Sequence, residues 1–157
     1  MQKMIETQIS LISGMGRTVV PMQITYDDDE EATAPISEMS LVFNDVQYTG
    51  KGTDYLWTDT LADLQCKLPE GVKIACCMTC CHGNMCPYGN LENQLFCTKE
   101  LKIICKKDMC DLFDQTDPYE EQIVTSFDYC EDFVYQNDDC YTYNDYLYEL
   151  QKKMASK

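Results

Sequence analysis

Positive charge is scarce in this chain. Of its 157 residues, 12 are Lys or Arg against 27 Asp or Glu, Arg17 is the only arginine, and the formal net charge is −15. Proteins hold nucleic-acid phosphates and anionic lipid through clustered Lys and Arg. Direct binding to either is therefore not expected. The electrostatic partner to expect is basic: a basic protein surface, or the positive channel of a nucleic-acid enzyme. Histidine is scarcer still. His82 stands alone, which rules out a His-rich metal site and leaves at most one Cys–His dyad. Long apolar runs are also missing, with none near the roughly 18–20 residues of a membrane span. The opening MQKMIETQISLISGMGR has no uninterrupted apolar stretch of the kind a secretory leader carries. These absences predict a cytoplasmic protein.

What is present suffices for a folded domain. Hydrophobic residues make up 45% of the chain, and the length suits one domain. The first third alternates with period two: Ile5, Thr7, Ile9 and Leu11; then Val20, Met22, Ile24 and Tyr26; then Met39, Leu41 and Phe43. Each series predicts a half-buried strand. The acidic run Asp27–Glu31 and the Ala34-Pro35 step predict an exposed loop over residues 27–37. Gly50-Lys51-Gly52 is expected to end the strand region. A helix should start between Asp54 and Thr58, with Leu61, Leu64 and Leu68 on one face, and stop at Pro69-Glu70-Gly71. Trp57 is expected to anchor it on the sheet. Val72–Ala75 reads as a strand leading into the next region.

Near the C-terminus, Thr142-x-x-Asp145 resembles a capping box with Asp in place of Glu or Gln. Tyr143, Tyr146, Leu147, Leu150 and Met154 share a face, and Lys152 and Lys153 suit the end of a helix spanning about 143–154. The expected fold is α+β: an antiparallel sheet with a packed helix in residues 1–71, a cysteine-rich, zinc-stapled loop region in 72–133, and a C-terminal helix in 134–157, all within one domain.

Cysteine is abundant. There are eleven, and residues 76–86 read CCMTCCHGNMC, with five of them beside the only histidine. Reduced cytosolic thiols point to metal or catalysis before disulfides. Cys77-Met78-Thr79-Cys80 has the C-x2-C spacing that grips a tetrahedral zinc from a tight turn, with a second pair of ligands required from elsewhere. Candidates are Cys66, His82, Cys86, Cys97, Cys105, Cys110, Cys130 and Cys140. Cys76 and Cys81 flank the pair and offer less usual x3 grips. Cys105 and Cys110 could serve a separate site. An iron–sulfur cluster would use the same ligands.

The elements Cys77-Met78-Thr79-Cys80-Cys81-His82, Phe96-Cys97-Thr98-Lys99 and Cys130-Glu131-Asp132-Phe133, with Pro87-Tyr88-Gly89 as a turn, resemble a pattern in small bacterial and phage proteins of unassigned function. The resemblance covers about residues 74–133. It implies a four-thiolate zinc site from Cys77, Cys80, Cys97 and Cys130, with Cys86 as the main substitute for Cys130. Such a site is saturated and structural.

From Asp108 to Glu149 there is no lysine or arginine. The stretch is dense in tyrosine, including Tyr119, Tyr129, Tyr135, Tyr141, Tyr143, Tyr146 and Tyr148. An ordinary solvated acidic face explains this composition. So does a contact surface in which Asp111, Asp114, Asp117, Glu120, Glu121, Glu131, Asp132, Asp138 and Asp139 steer towards a basic partner while tyrosines give rigid contact area. Signals for catalysis are thin. The H-x-E…P-C-x-x-C deaminase signature is absent, Gly14-Met15-Gly16 is too short to cradle phosphate, and no carboxylate spacing selects a catalytic pair. Size, charge and lack of catalytic motifs resemble the small acidic anti-CRISPR inhibitors. That resemblance implies a non-enzymatic binding protein acting on a basic nucleic-acid-handling partner such as a Cas nuclease. The alternatives are a structural or regulatory zinc module with a protein partner, and a metalloenzyme.

Overall fold

The structure is a computed structural model that describes residues 2–27, 37–53, 57–88, 94–115 and 118–156. Along the chain run strands β1 (Gln2–Ser13), β2 (Gly16–Asp27), β3 (Ser37–Phe43) and β4 (Val46–Gly52), helix α1 (Trp57–Lys67) and strand β5 (Lys73–Ala75). Strands β6 (Gly83–Asn84) and β7 (Leu95–Cys97), helix α2 (Lys106–Asp114), strand β8 (Ile123–Val124) and helix α3 (Tyr146–Ala155) follow. The fold is α+β, as expected. Residues 1–74 and 145–157 make one compact unit, and residues 75–144 make a second.

The first unit is built on a five-stranded sheet of order β4-β3-β2-β1-β5. The hairpin β1–β2 pairs Ile5 with Ile24, Thr7 with Met22 and Ile9 with Val20, so the alternating apolar residues share one face. Ile9, Leu11, Met22, Ile24, Met39 and Leu41 are buried there. Ile5, nearer the strand end, is 37% exposed. The expected loop of residues 27–37 lies largely outside the described residues; Asp27 and Ser37 themselves are strand residues.

The strand region does not end after β3. Asn44 and Asp45 both adopt positive φ, at 50° and 63°. Those are the conformations of a two-residue hairpin turn whose twist matches the flanking strands. The turn returns the chain as β4, a strand not expected from the sequence, whose last three residues are Gly50-Lys51-Gly52; these end the hairpin strands as expected. Those glycines have a packing role. A Cβ on Gly50 would sit 2.5 Å from the Leu64 backbone nitrogen, and one on Gly52 would collide with the Thr60 hydroxyl. Helix α1 therefore lies directly on the backbone of β4.

Leu61, Leu64 and Leu68 are all buried, and each is worth about 1.5–3 kcal/mol relative to exposure. Trp57 meets Tyr26 of β2 edge to face at 5.8 Å. Asp63 accepts hydrogen bonds from the Lys51 backbone N–H and the Lys67 ammonium, tying α1 to β4.

Helix α3 begins at Tyr146, three residues later than expected. Asp145 precedes it, and its side chain does not cap the helix. Thr142 does not act as a cap, because its hydroxyl donates to the Cys81 carbonyl at 2.8 Å. Of the predicted apolar face only Tyr146 is buried, and Met154 is 55% exposed. The face turned to α1 includes Lys153, whose ammonium meets the Asp59 carboxylate at 2.6 Å. No helix among the described residues is long and apolar enough to cross a membrane.

Candidate metal centre

The second unit organises the cysteines around one turn. After buried Cys76, residues Cys77–Thr79 form a single turn of 3-10 helix. The Thr79 hydroxyl accepts from the Cys76 N–H, and the Cys80 N–H donates to the Cys77 carbonyl at 3.2 Å. The Gly83 N–H then donates to the Cys80 carbonyl at 3.0 Å. This turn is so tight that a Cβ on Gly83 would collide with the Cys77 carbonyl oxygen. Glycine is therefore required there by space alone. The His82 backbone N–H points at the Cys80 sulfur, 3.5 Å away, which is the amide–sulfur contact a thiolate grip uses.

Three segments close on this turn. Strand β6 pairs Gly83 with Cys97 of β7, which carries Cys97 alongside, and the Thr98 N–H donates to the His82 carbonyl. The Cys77 and Met78 N–H groups donate to the carbonyls of Asp128 and Ser126 at 2.8 and 3.0 Å, bringing in the chain that leads to Cys130. From the far side, the Cys81 N–H donates to the Val134 carbonyl at 2.7 Å. Gln136 donates to the Met78 carbonyl, while Asn144 donates to the carbonyls of Met78 and Gly83.

Cys77, Cys80, Cys97 and Cys130 consequently line one cavity of about 20 Å³, together with His82, Gly83, Lys99, Val124 and Phe133. That volume accommodates about one water-sized particle. Phe133 forms part of an aromatic wall, edge to face with Tyr135 at 4.6 Å and tilted on Tyr129 at 5.8 Å. Lys99 and Asp132 form an ion pair of 2.8 Å. Their mutual hydrogen bond holds Lys99 above, and Asp132 below, the ordinary range of its type.

The electrostatics of the cavity disfavour bare thiolates. Burial, and after it the neighbouring Cys76, Cys80, Cys97 and Cys130, push the Cys77 thiol up to about 12. Burial pushes the Cys76 thiol up to about 11, and the Cys80 thiol up as well. A nucleophilic cysteine is activated by the opposite shift. Thiols that raise one another in this way become thiolates when a cation sits among them. As the side chains stand, no three His, Cys, Asp or Glu among the described residues form a group that could hold a metal ion. Convergence on one cavity and bonding geometry are separate properties, and only the first is present.

The remaining sequence candidates fall elsewhere. Cys81 is bonded to Cys140, with Cα atoms 6.3 Å apart. Disulfides ranked behind metal binding in the sequence, and this one bond takes Cys81 and Cys140 out of the donor set. Cys86 is buried and Cys110 half-buried on α2, and neither lines the cavity. Cys105 precedes α2, exposed, with its sulfur 3.5 Å from the Asp108 carboxylate. Cys66 lies in α1 of the other unit.

Asp111, Asp114, Glu120, Glu121, Glu131, Asp132, Asp138 and Asp139 are all exposed. Asp111 pairs with Lys107, and Asp114 accepts from the Tyr88 hydroxyl. Asp117 lies outside the described residues. Sequence reasoning missed the role of Gly83 and of the Lys99–Asp132 pair. The signal for the pair was present in the matching Cys-x-Lys and Cys-x-Asp elements.

No protein-family model, curated protein or solved structure matches the chain.

Proposed function

We propose that residues 75–144 form a metal-stapled module in which Cys77, Cys80, Cys97 and Cys130 bind one zinc ion. In this reading the protein works by binding rather than by turnover. The observation that carries it is the convergence of these four thiols, from three separate segments, on a cavity the size of a single particle. Soft thiolate donors in a tetrahedral set select zinc, with an iron–sulfur cluster as the competing occupant. Bringing the thiols onto a common centre requires their deprotonation and rotation, and the cation offsets both costs. Four sulfur ligands leave no open position for water, so the ion staples the fold and does not activate a substrate.

The working surface is then the exposed acidic series that includes Asp111, Asp114, Glu120 and Glu121. On a chain of net charge −15, this surface suits a basic partner, and the partner class we propose is a nucleic-acid-handling protein, a Cas nuclease foremost. Inhibition would follow from occupying the groove that otherwise holds phosphates. The test is binding of the zinc-loaded chain to a purified Cas nuclease at several salt concentrations. Binding should weaken steeply between about 50 and 300 mM salt, as screening shortens the reach of exposed charge, and Asp111→Lys with Asp114→Lys should abolish it. Binding indifferent to salt and to the reversals would remove the acidic surface from the account.

A further inference from the structure

The ion pair beside the cavity has a particular placement. Lys99 lies two residues after Cys97, and Asp132 two residues after Cys130. Their 2.8 Å contact therefore joins the two segments that deliver the later pair of thiols. Lys99 lines the cavity with those thiols, and among the described residues it is the only Lys or Arg that does. The two partners are not equivalent. The Asp132 side chain is 68% exposed against 35% for Lys99. Water thus screens the carboxylate more than the ammonium, and the cation acts on the cavity.

We propose that Lys99 is a positioning residue of the thiol cavity: strapped by Asp132, it holds Cys97 and Cys130 onto one centre and offsets the negative charge that four thiolates leave around a divalent ion. The proposal rests on the four-thiol metal reading above. The neighbouring chain supplies the other part of the compensation through the His82 N–H aimed at the Cys80 sulfur. That amide serves the first pair of ligands. Lys99 serves the second pair, whose thiols line the cavity with it. Groups that orient and electrostatically support ligands in this way typically control metal affinity by about 10–100-fold.

The experiment uses the full chain and two metals. Zinc affinity is measured by competition with a chromophoric chelator for the unaltered protein and for Lys99→Met, Lys99→Arg and Asp132→Asn. Cobalt(II) absorption reports whether sulfur ligands remain in place at saturation. Lys99→Met should lose about tenfold or more in zinc affinity yet keep the sulfur-to-cobalt absorption at saturating metal. Lys99→Arg should recover most of the loss. Asp132→Asn, which removes the strap and keeps the cation, should fall between. Equal affinity in Lys99→Met and the unaltered chain overturns the proposal, as does a loss that arginine does not rescue. Should Lys99→Met fail to fold, Lys99→Gln carries the same comparison. If the unaltered chain takes up neither metal through sulfur, the four-thiol reading itself is wrong. If it binds normally and the variants do too, only the role of Lys99 is.

Discussion

The backbone N–H of Cys77 donates to the carbonyl oxygen of Asp128, 51 positions further along the chain, at 2.8 Å. This bond and its neighbour from Met78 to Ser126 let an exposed cysteine late in the chain, Cys130, share a cavity with the C-x2-C turn. Cys86, far closer in sequence, is buried away from that cavity. The expected outcome is a clear split between two serine variants. Cys130→Ser should weaken the sulfur-to-cobalt absorption by roughly a quarter and lower metal affinity, since one of about four sulfur donors is removed. Cys86→Ser should leave the spectrum unchanged. The reverse pattern would assign the fourth ligand to Cys86.

The close contact between α1 and β4 makes a second prediction. Gly50→Ala would place a methyl 2.5 Å from the Leu64 backbone nitrogen, which cannot move without shifting the helix. Overpacking of this kind costs about 1–3 kcal/mol. Gly14→Ala, with nothing within 4 Å of the added carbon, should cost little. Trp57 is the only tryptophan and sits at the start of α1, so denaturant unfolding followed by its fluorescence reads this unit directly. Equal midpoints for the two variants would refute the close approach.

Asp63 supplies a pH-dependent term in the same unit. Burial pushes its carboxyl up, but the Lys67 hydrogen bond, the Lys51 N–H and the charges of Lys67 and Lys153 together outweigh that and hold it below its ordinary value of 3.8. A lowered folded-state value means the stabilisation is fully present above the unfolded value, near 3.9, and is lost as pH falls through the folded value. Asp63→Asn should therefore be less stable than the unaltered chain at pH 6, and the gap should close below about pH 4. A gap that persists undiminished in acid would mean the loss is packing rather than charge.

The disulfide between Cys81 and Cys140 is reinforced by a network that needs no oxidation. Thr142, Tyr143, Asn144 and Gln136 make hydrogen bonds to Cys81, Asn84, Gly83 and Met78. In the presence of reductant, Cys140→Ser should melt with the unaltered chain. Asn144→Ala, which takes a donor from the Met78 and Gly83 carbonyls, should lose about 1–3 kcal/mol in either redox state. If Cys140→Ser unfolds this unit even in reductant, the thiol itself packs in a way the hydrogen bonds do not replace.

Much of the first unit was legible in the sequence because its signal is local. Period-two alternation located β1, β2 and β3, and Leu61, Leu64 and Leu68 located α1. The strand β4 was missed because Val46–Gly52 has little apolar alternation and two glycines. Its cue was the Asn44-Asp45 pair, a turn signal, and its glycines make room for α1, the element that follows it. The C-terminal helix was placed, but its cap was misread, since Thr142 spends its hydroxyl on Cys81, a partner 61 positions away. Strands β6, β7 and β8 are two or three residues each, too short to carry periodicity, so the frame that gathers the thiols had no local signature. Cys77 and Cys80 followed from spacing. The inclusion of Cys97 and Cys130 was implied by resemblance, and the cavity brings the same four together.

X-ray absorption at the zinc edge of the loaded chain reads the ligands of the proposed four-sulfur centre themselves. The expected result is about one zinc per chain with roughly four sulfur neighbours at ~2.3 Å and no oxygen or nitrogen in the inner shell. A shell containing oxygen or nitrogen, or a folded chain that takes up no zinc, would contradict it.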